Sequence, residues 1–257
     1  LPPHRPRSKD GLRHIRRNRS DGNVQRTLPD KLPAPRLVIG GGDVISTSGG
    51  VYEHHYAATG GVQAEVPLAG PAEVDAAVAA ARAAFPAWRD LDLNRRRNIL
   101  QELARRLVAD GERLGAIATL EVGTPNLLAS SSSAMAADWF TYYAGWIGRS
   151  AGEVVPVPAG GALDYVLDEP LGVIAAIIPW NGPLISIGMK VAPALAAGNS
   201  VVLKPPENAP FSALRFAELA TEAGLPPGVL NVIPGGAEAG GALCSHPGVD
   251  KITFTGG

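Results

Sequence analysis

The chain has 257 residues, 46% of them hydrophobic and 18% charged, with a formal net charge of -1. That composition excludes a wholly disordered chain, suffices for one or two domains with a sizeable core, and gives no whole-chain case for nucleic-acid or anionic-membrane partners. A single cysteine, Cys244, excludes a disulfide framework and a multi-cysteine zinc site, so a cytoplasmic setting and no metal are expected.

The first 35 residues carry nine basic and three acidic side chains and no apolar periodicity, which reads as a disordered basic tail. No apolar signal-peptide run is read there. A β-rich entry follows. Arg36 to Ile39 runs into the turn glycines Gly40 to Gly42, further turn clusters lie at 46–50 and 57–61, and Val62, Ala64, Val66 and Leu68 alternate as in a half-buried strand.

Helices come next. Pro71 suits a first helical turn, with Val74, Ala77, Val78, Ala81 and Phe85 on one face. Ile99, Leu100, Leu103 and Leu107 form a second stripe, leaving Arg95, Arg96, Arg97, Arg105 and Arg106 on a solvated face. Gly111 and Gly123 bracket a shorter helix. Ser130 to Ser133 supply candidate caps for a helix whose aromatic stripe (Met135, Trp139, Tyr142, Tyr143, Trp146) is expected in the core. Gly152 to Leu167 reads as a β-hairpin turning at 158–161.

Beyond Gly172 the pattern alternates. Strands at 173–178, 200–203, 229–233 and 251–255 are separated by helices at 184–197, 211–223 and 237–245. The first strands are continuously apolar, as strands buried on both faces are. Alternation at this spacing predicts right-handed crossovers and a parallel α/β sheet, which binds ligands at its carboxyl ends. The most apolar run, Leu171 to Trp180, is about half the roughly 20 residues a spanning helix needs.

The carboxyl ends deliver Pro179–Trp180–Asn181, Lys204–Pro205–Pro206–Glu207, Pro234–Gly235–Gly236 and Gly256–Gly257. Neither G-x-G-x-x-G nor a P-loop occurs. Lys204 and Glu207, three apart on a proline-stiffened loop, suit the vicinal hydroxyls of a ribose, because the ammonium donates and the carboxylate accepts; a surface salt bridge is the other reading. Asn181 is either a turn asparagine or an amide aimed at a developing oxyanion. Cys244 is expected to be a small buried thiol, with His246 able to activate it only if folding brings the two together.

The segments IIPWNGP (177–183), GNSVVLKPPE (198–207), AGLPPGVLNVIPGG (223–236) and KITFTGG (251–257), with PLAGPAEVDAAVAAARAAFPAW (67–88), together resemble the aldehyde dehydrogenase superfamily, in particular its N-terminal portion. The resemblance runs from about Leu37 to Gly257. It implies NAD-dependent oxidation of an aldehyde to a carboxylic acid through a cysteine thiohemiacetal and thioester. Asn181 is then the oxyanion-hole amide. Ile178, Pro179, Trp180, Asn181, Lys204, Pro205, Pro206, Glu207, Gly236, Gly240, Phe254, Thr255, Gly256 and Gly257 become cofactor contacts, and Lys190 supports them. The carboxylate of Glu207 would repel a 2′-phosphate, which favours NAD over NADP.

Two departures concern the site: Gly182 stands where the family usually has an aromatic, and Gly257 where a serine is common. The nucleophilic cysteine and general-base glutamate are expected beyond Gly257, so the 257 residues alone are expected to be inactive. The implied division is a tail (1–35), an N-terminal helical part of the cofactor domain (36–150), an oligomerisation hairpin (151–168) and an incomplete, Rossmann-like, doubly wound β/α cofactor domain (169–257). The catalytic domain is absent from it. The full protein would be a homodimer or homotetramer, with an aldehyde as its small-molecule partner. A non-catalytic nucleotide-binding or subunit-pairing fragment is the alternative.

Overall fold

A computed structural model describes residues 32–149, 152–158 and 160–256. Most of the basic tail, through residue 31, and Gly257 lie outside the described residues.

Four strands expected to be parallel are so: β7 (Val173–Ile177), β8 (Ser200–Lys204), β9 (Leu230–Val232) and β10 (Lys251–Phe254). Their order is β10-β7-β8-β9. The chain therefore steps outward from β7 to β9, then returns to add β10 on the other side of β7. That reversal is the topological switch point of a doubly wound sheet. The sheet then continues as a mixed one. β1 (Leu37–Ile39) pairs antiparallel with β9 through Val38 and Val232, and β2 (Gly42–Val44) pairs antiparallel with β1. The buried Asn231 fixes this docking: its Oδ1 accepts from Gly40 N–H (2.8 Å), and its Nδ2 donates to the Gly228 carbonyl (2.8 Å).

Every residue of β7 and β8 is buried, and their side chains alternate between two cores. Val173, Ala175, Ile177 and Val202 join Val74, Ala77, Val78 and Ala81 of α1 (Pro71–Arg89) and Leu243 of α7 (Ala237–Ser245) on one face. Ile174, Ala176, Val201 and Leu203 join the other face. There lie α5 (Pro183–Ala196), α6 (Phe211–Glu222), α2 (Leu93–Ala109), α3 (Gly111–Val122) and α4 (Asn126–Trp146). Burial on both faces explains why these strands read as unbroken apolar runs.

Two smaller sheets flank this body: β3 (Val51–His55) with β4 (Val62–Pro67), and the expected hairpin, β5 (Glu153–Val155) with β6 (Asp164–Val166). All residues of β5 and β6 are exposed.

Three local expectations are corrected. The serines do not cap α4. The helix starts four residues earlier, after the extended Pro125, and Ser131, Ser132 and Ser133 donate to carbonyls three or four residues back within it. The aromatic stripe of α4 is core only in part: Trp139 and Tyr143 are partly buried and pack against the core. Met135, Tyr142 and Trp146 are exposed, the last by 51%, and Phe140 is the buried ring. Arg96 does not share the solvated face. It is buried, donating to the carbonyls of Trp88, Arg89 and Ala196, with its guanidinium over the Trp88 ring. Among the described residues, no helix is long and apolar enough to cross a membrane.

Candidate functional site

Hydrogen bonds past the strand ends hold the carboxyl rim of the sheet together. Ile178 N–H donates to the Lys204 carbonyl (3.2 Å), Thr255 N–H to Ile177 (3.1 Å), and Gly235 N–H to Pro205 (3.2 Å). These bonds fix the backbones following β7, β8, β9 and β10 relative to one another. Between them lies a cleft of about 680 Å³ at the switch point. It is lined by Ile178, Pro179, Trp180, Lys204, Pro206, Glu207, Gly236, Gly240, Phe254, Thr255 and Gly256. Eleven of the fourteen expected cofactor contacts therefore meet in one place. Pro205 is buried beside it, and Asn181 sits just past Trp180, exposed at the entry to α5. Gly257 lies outside the described residues.

Lys204 is 6% exposed, and its Nζ donates to the carbonyls of Gly235 and Pro205. Burial pulls its pKa below the usual lysine value, and the charge of Glu207 partly restores it. An ammonium has three donors, so one remains for a ligand. Glu207 is half-buried, and it forms no ion pair with Lys204 among the described residues, so the surface salt-bridge reading fails. Beside the pair, a Cβ on Gly240 would lie 3.7 Å from Lys204 Cε, and one on Gly236 would lie 4.0 Å from Glu207 Oε2. These two glycines keep open the floor that faces the Lys204–Glu207 pair.

The other singled-out residues fall nearby or elsewhere. Space around Gly182 is open: a Cβ added there would meet no heavy atom within 4 Å, and its φ of -178° is extended backbone that any residue adopts. Lys190 faces β10 on the far side of the sheet edge, donating to Thr253 Oγ1 (3.1 Å), and burial lowers its pKa. Cys244 is exposed and lines the cleft one turn beyond Gly240, which corrects the buried-thiol reading. A helix face that looked internal by composition is covered here by nothing but the cleft. His246 does not serve that thiol: its Nδ1 accepts from Gly248 N–H (2.9 Å), and its Nε2 lies 3.1 Å from Asp75.

Sequence reading missed Tyr52, Ile177, Asn208 and Ala237 in the lining, and a buried layer behind it. Glu121, near the end of α3, is buried. Its carboxylate accepts from Phe211 N–H, Ser212 N–H (3.0 Å) and Ser212 Oγ (2.5 Å). Burial pushes its pKa up to about 7, against those three bonds, which lower it. His54 of β3 sits beside it, with Nε2 3.1 Å from the Glu121 carbonyl and 3.2 Å from the Asn208 carbonyl. The strand carrying Tyr52 and His54 is remote in sequence from every motif on the rim.

Residues 44–257 match the model of the aldehyde dehydrogenase family. The chain is 44% identical over 216 residues to retinal dehydrogenase 2 of Homo sapiens, covering 82% of this chain and 42% of that protein. It is 43% identical over 223 residues to a mitochondrial aldehyde dehydrogenase of Leishmania tarentolae, covering 86% and 45%. Among solved structures it resembles an NAD+ complex of an aldehyde dehydrogenase from Bacillus cereus, with TM-score 0.82, 36% identity, and 91% and 48% of the two chains covered. It also resembles an E. coli NADP-dependent enzyme, with TM-score 0.83, 37% identity, and 87% and 48% covered. The chain belongs to the aldehyde dehydrogenase family, and it spans less than half the length of these relatives.

Proposed function

We propose that the chain forms the dinucleotide-binding part of an enzyme that oxidises an aldehyde to a carboxylic acid with NAD. The observation that carries this reading is the cleft at the switch point. There Lys204 and Glu207, on a proline-stiffened loop, line one cleft of about 680 Å³ together with Gly236 and Gly240.

In this reading Glu207 accepts hydrogen bonds from both hydroxyls of the adenosine ribose, and the remaining N–H of Lys204 donates to one of them. A carboxylate at that point repels a 2′-phosphate, which favours NAD over NADP. Gly236 and Gly240 leave room for the base, and Ile178 to Trp180 and Phe254 to Gly256 form the opposite wall. The dinucleotide supplies the hydride acceptor. Asn181 then donates from its amide to the aldehyde oxygen as that oxygen gains charge, an effect whose removal typically costs 10²–10³ in rate, on the order of 3–4 kcal/mol. The thiolate that attacks the aldehyde and the carboxylate that activates water come from sequence beyond Gly257. Cys244 is not that thiol, since it lines the cleft beside Gly240, on the base side.

The exposed hairpin pairs subunits into a homodimer or homotetramer. Val154, Leu163, Tyr165 and Leu167 lie in or beside β5 and β6, all exposed, Leu163 by 75%, and apolar surface so concentrated marks an association site.

The test is calorimetric titration of the 257-residue chain with NAD, beside an assay of NADH formation from a panel of aldehydes. The chain is expected to bind NAD and to form no NADH. Absence of binding would overturn the assignment of the cleft, and turnover by the isolated chain would overturn the assignment of the nucleophile.

A further inference from the structure

His54 is 1% exposed, and its Nδ1 has no hydrogen-bond partner. A buried imidazole in that state calls for a reason. Its place is set by β3, in which it alone is buried, just before a register irregularity between His54 and His55. The ring is held edge-on by Phe211 (centroids 5.0 Å apart, 83°) and Tyr52 (6.5 Å, 72°).

Both neighbours of Nε2 are carbonyl oxygens, which only accept. Nε2 therefore carries the proton and shares it between them. One carbonyl, that of Glu121, lies in the last turn of α3, where helix carbonyls lack partners. The other belongs to Asn208, the residue after Glu207. The loop from Lys204 to Phe211 is thus fastened at both ends. Pro205 and Pro206 stiffen its start, and His54 and the Glu121 carboxylate hold its end, the latter through the first two residues of α6. Glu207 lies between the two fastenings.

We infer that His54 is a positioning residue that holds the 205–208 loop so that Glu207 faces the ribose side of the cleft; the ribose part of this inference rests on the function proposed above. Without the Nε2 donor, the part-buried Asn208 carbonyl loses this partner. A lost bond of this kind is worth about tenfold in an equilibrium.

Two variants separate positioning from packing. His54→Phe keeps a ring against Phe211 and Tyr52 but removes the donor. His54→Gln keeps an Nε2 donor at similar reach. Amide hydrogen exchange of the full chain without nucleotide reads the loop directly, and NAD titration reads the cleft. The expected result is roughly tenfold faster exchange at residues 207–212 in His54→Phe, unchanged exchange in β7, a roughly tenfold higher Kd for NAD, and near-complete rescue of both by His54→Gln.

Unchanged loop exchange in His54→Phe would overturn the inference, as would a loss spread evenly through β7, which marks a merely structural role. If the wild-type chain binds no NAD, the dinucleotide reading fails. Loop exchange then decides alone, local loss in His54→Phe with rescue by His54→Gln sustaining the positioning role and no change refuting it. Should His54→Phe not fold, the ring nitrogen spectrum of the wild-type chain decides: a protected Nε2–H tautomer sustains the role, and an Nδ1–H tautomer refutes it.

Discussion

Glu121 ties the stability of the chain to pH. Its carboxyl is buried and titrates near 7, where an unfolded glutamate titrates near 4.5. Below 4.5 both states are protonated and its contribution is fully present. Between 4.5 and 7 the unfolded chain releases the proton while the folded chain keeps it, so stability falls as pH rises. The interval from 4.5 to about 7, at about 1.36 kcal/mol per pH unit, corresponds to roughly 3 kcal/mol in all, the last of it lost as pH passes through 7. Other groups slope the opposite way: Glu73 and Glu218 are held below the usual carboxylate range by hydrogen bonds that outweigh burial, and burial depresses His54. The test is therefore the difference between the wild type and Glu121→Gln, in which those slopes cancel. Glutamine can still accept from Phe211 and Ser212 N–H but does not ionise. In urea unfolding at a series of pH values, the wild type is expected to lose stability relative to Glu121→Gln by about 1 kcal/mol per pH unit between 5 and 7. Parallel profiles would refute the burial account. Glu121→Ala separates the second component: it strips partners from two backbone N–H groups and a hydroxyl, at about 1–3 kcal/mol for each buried group left unpaired, at every pH.

Three further outcomes are expected. Glu207→Gln weakens NAD binding about tenfold and narrows the margin over NADP, because the amide no longer repels a 2′-phosphate; calorimetry with both nucleotides reads the two effects, and an unchanged ratio refutes the role of the charge. Cys244 reacts with Ellman's reagent in the native chain without denaturant, since the thiol is exposed, and saturating NAD slows the reaction because the thiol lines the cleft; a rate indifferent to NAD places the dinucleotide elsewhere. Gly188→Ala lowers stability by about 1–3 kcal/mol in thermal unfolding, because its Cβ would meet Trp139 Cδ1 at 2.9 Å and Ala136 Cα at 3.0 Å where α4 and α5 touch.

The legible parts of this fold are those whose determinants are local. β7 and β8 read as strands because both faces are buried, and Gly123 ends α3 with positive φ, as its sequence position suggested. The rim was legible too, since each strand end is marked by proline or glycine. Contacts between distant segments were not. Val38 pairs with Val232, and nothing within residues 36–44 says which sheet they join. The α4 stripe shows why periodicity has limits: it identifies one face of the helix but not what covers that face. Cys244 failed for the same reason, its neighbours in sequence being small and apolar while its neighbour in space is the cleft.

The buried layer behind the cleft left one trace in the sequence, visible as a local conflict. An acidic residue in the last turn of a helix opposes the negative end of that helix's own dipole, and Glu121 stands two residues before the left-handed Gly123 that closes α3. No partner within α3 offsets this. The compensation comes from another element: the N-terminus of α6 begins at Pro210, which has no side-chain cap, and its first N–H groups, at the buried Phe211 and Ser212, take the Glu121 carboxylate in place of one. One carboxylate is thus misplaced on its own helix and well placed on its neighbour's. The same juxtaposition brings the Glu121 carbonyl within reach of His54 and, through Asn208, fixes the loop carrying Glu207. A charge that offends its own helix is best read as a pointer to a second helix end, and here that end abuts the loop that carries Glu207 into the cleft.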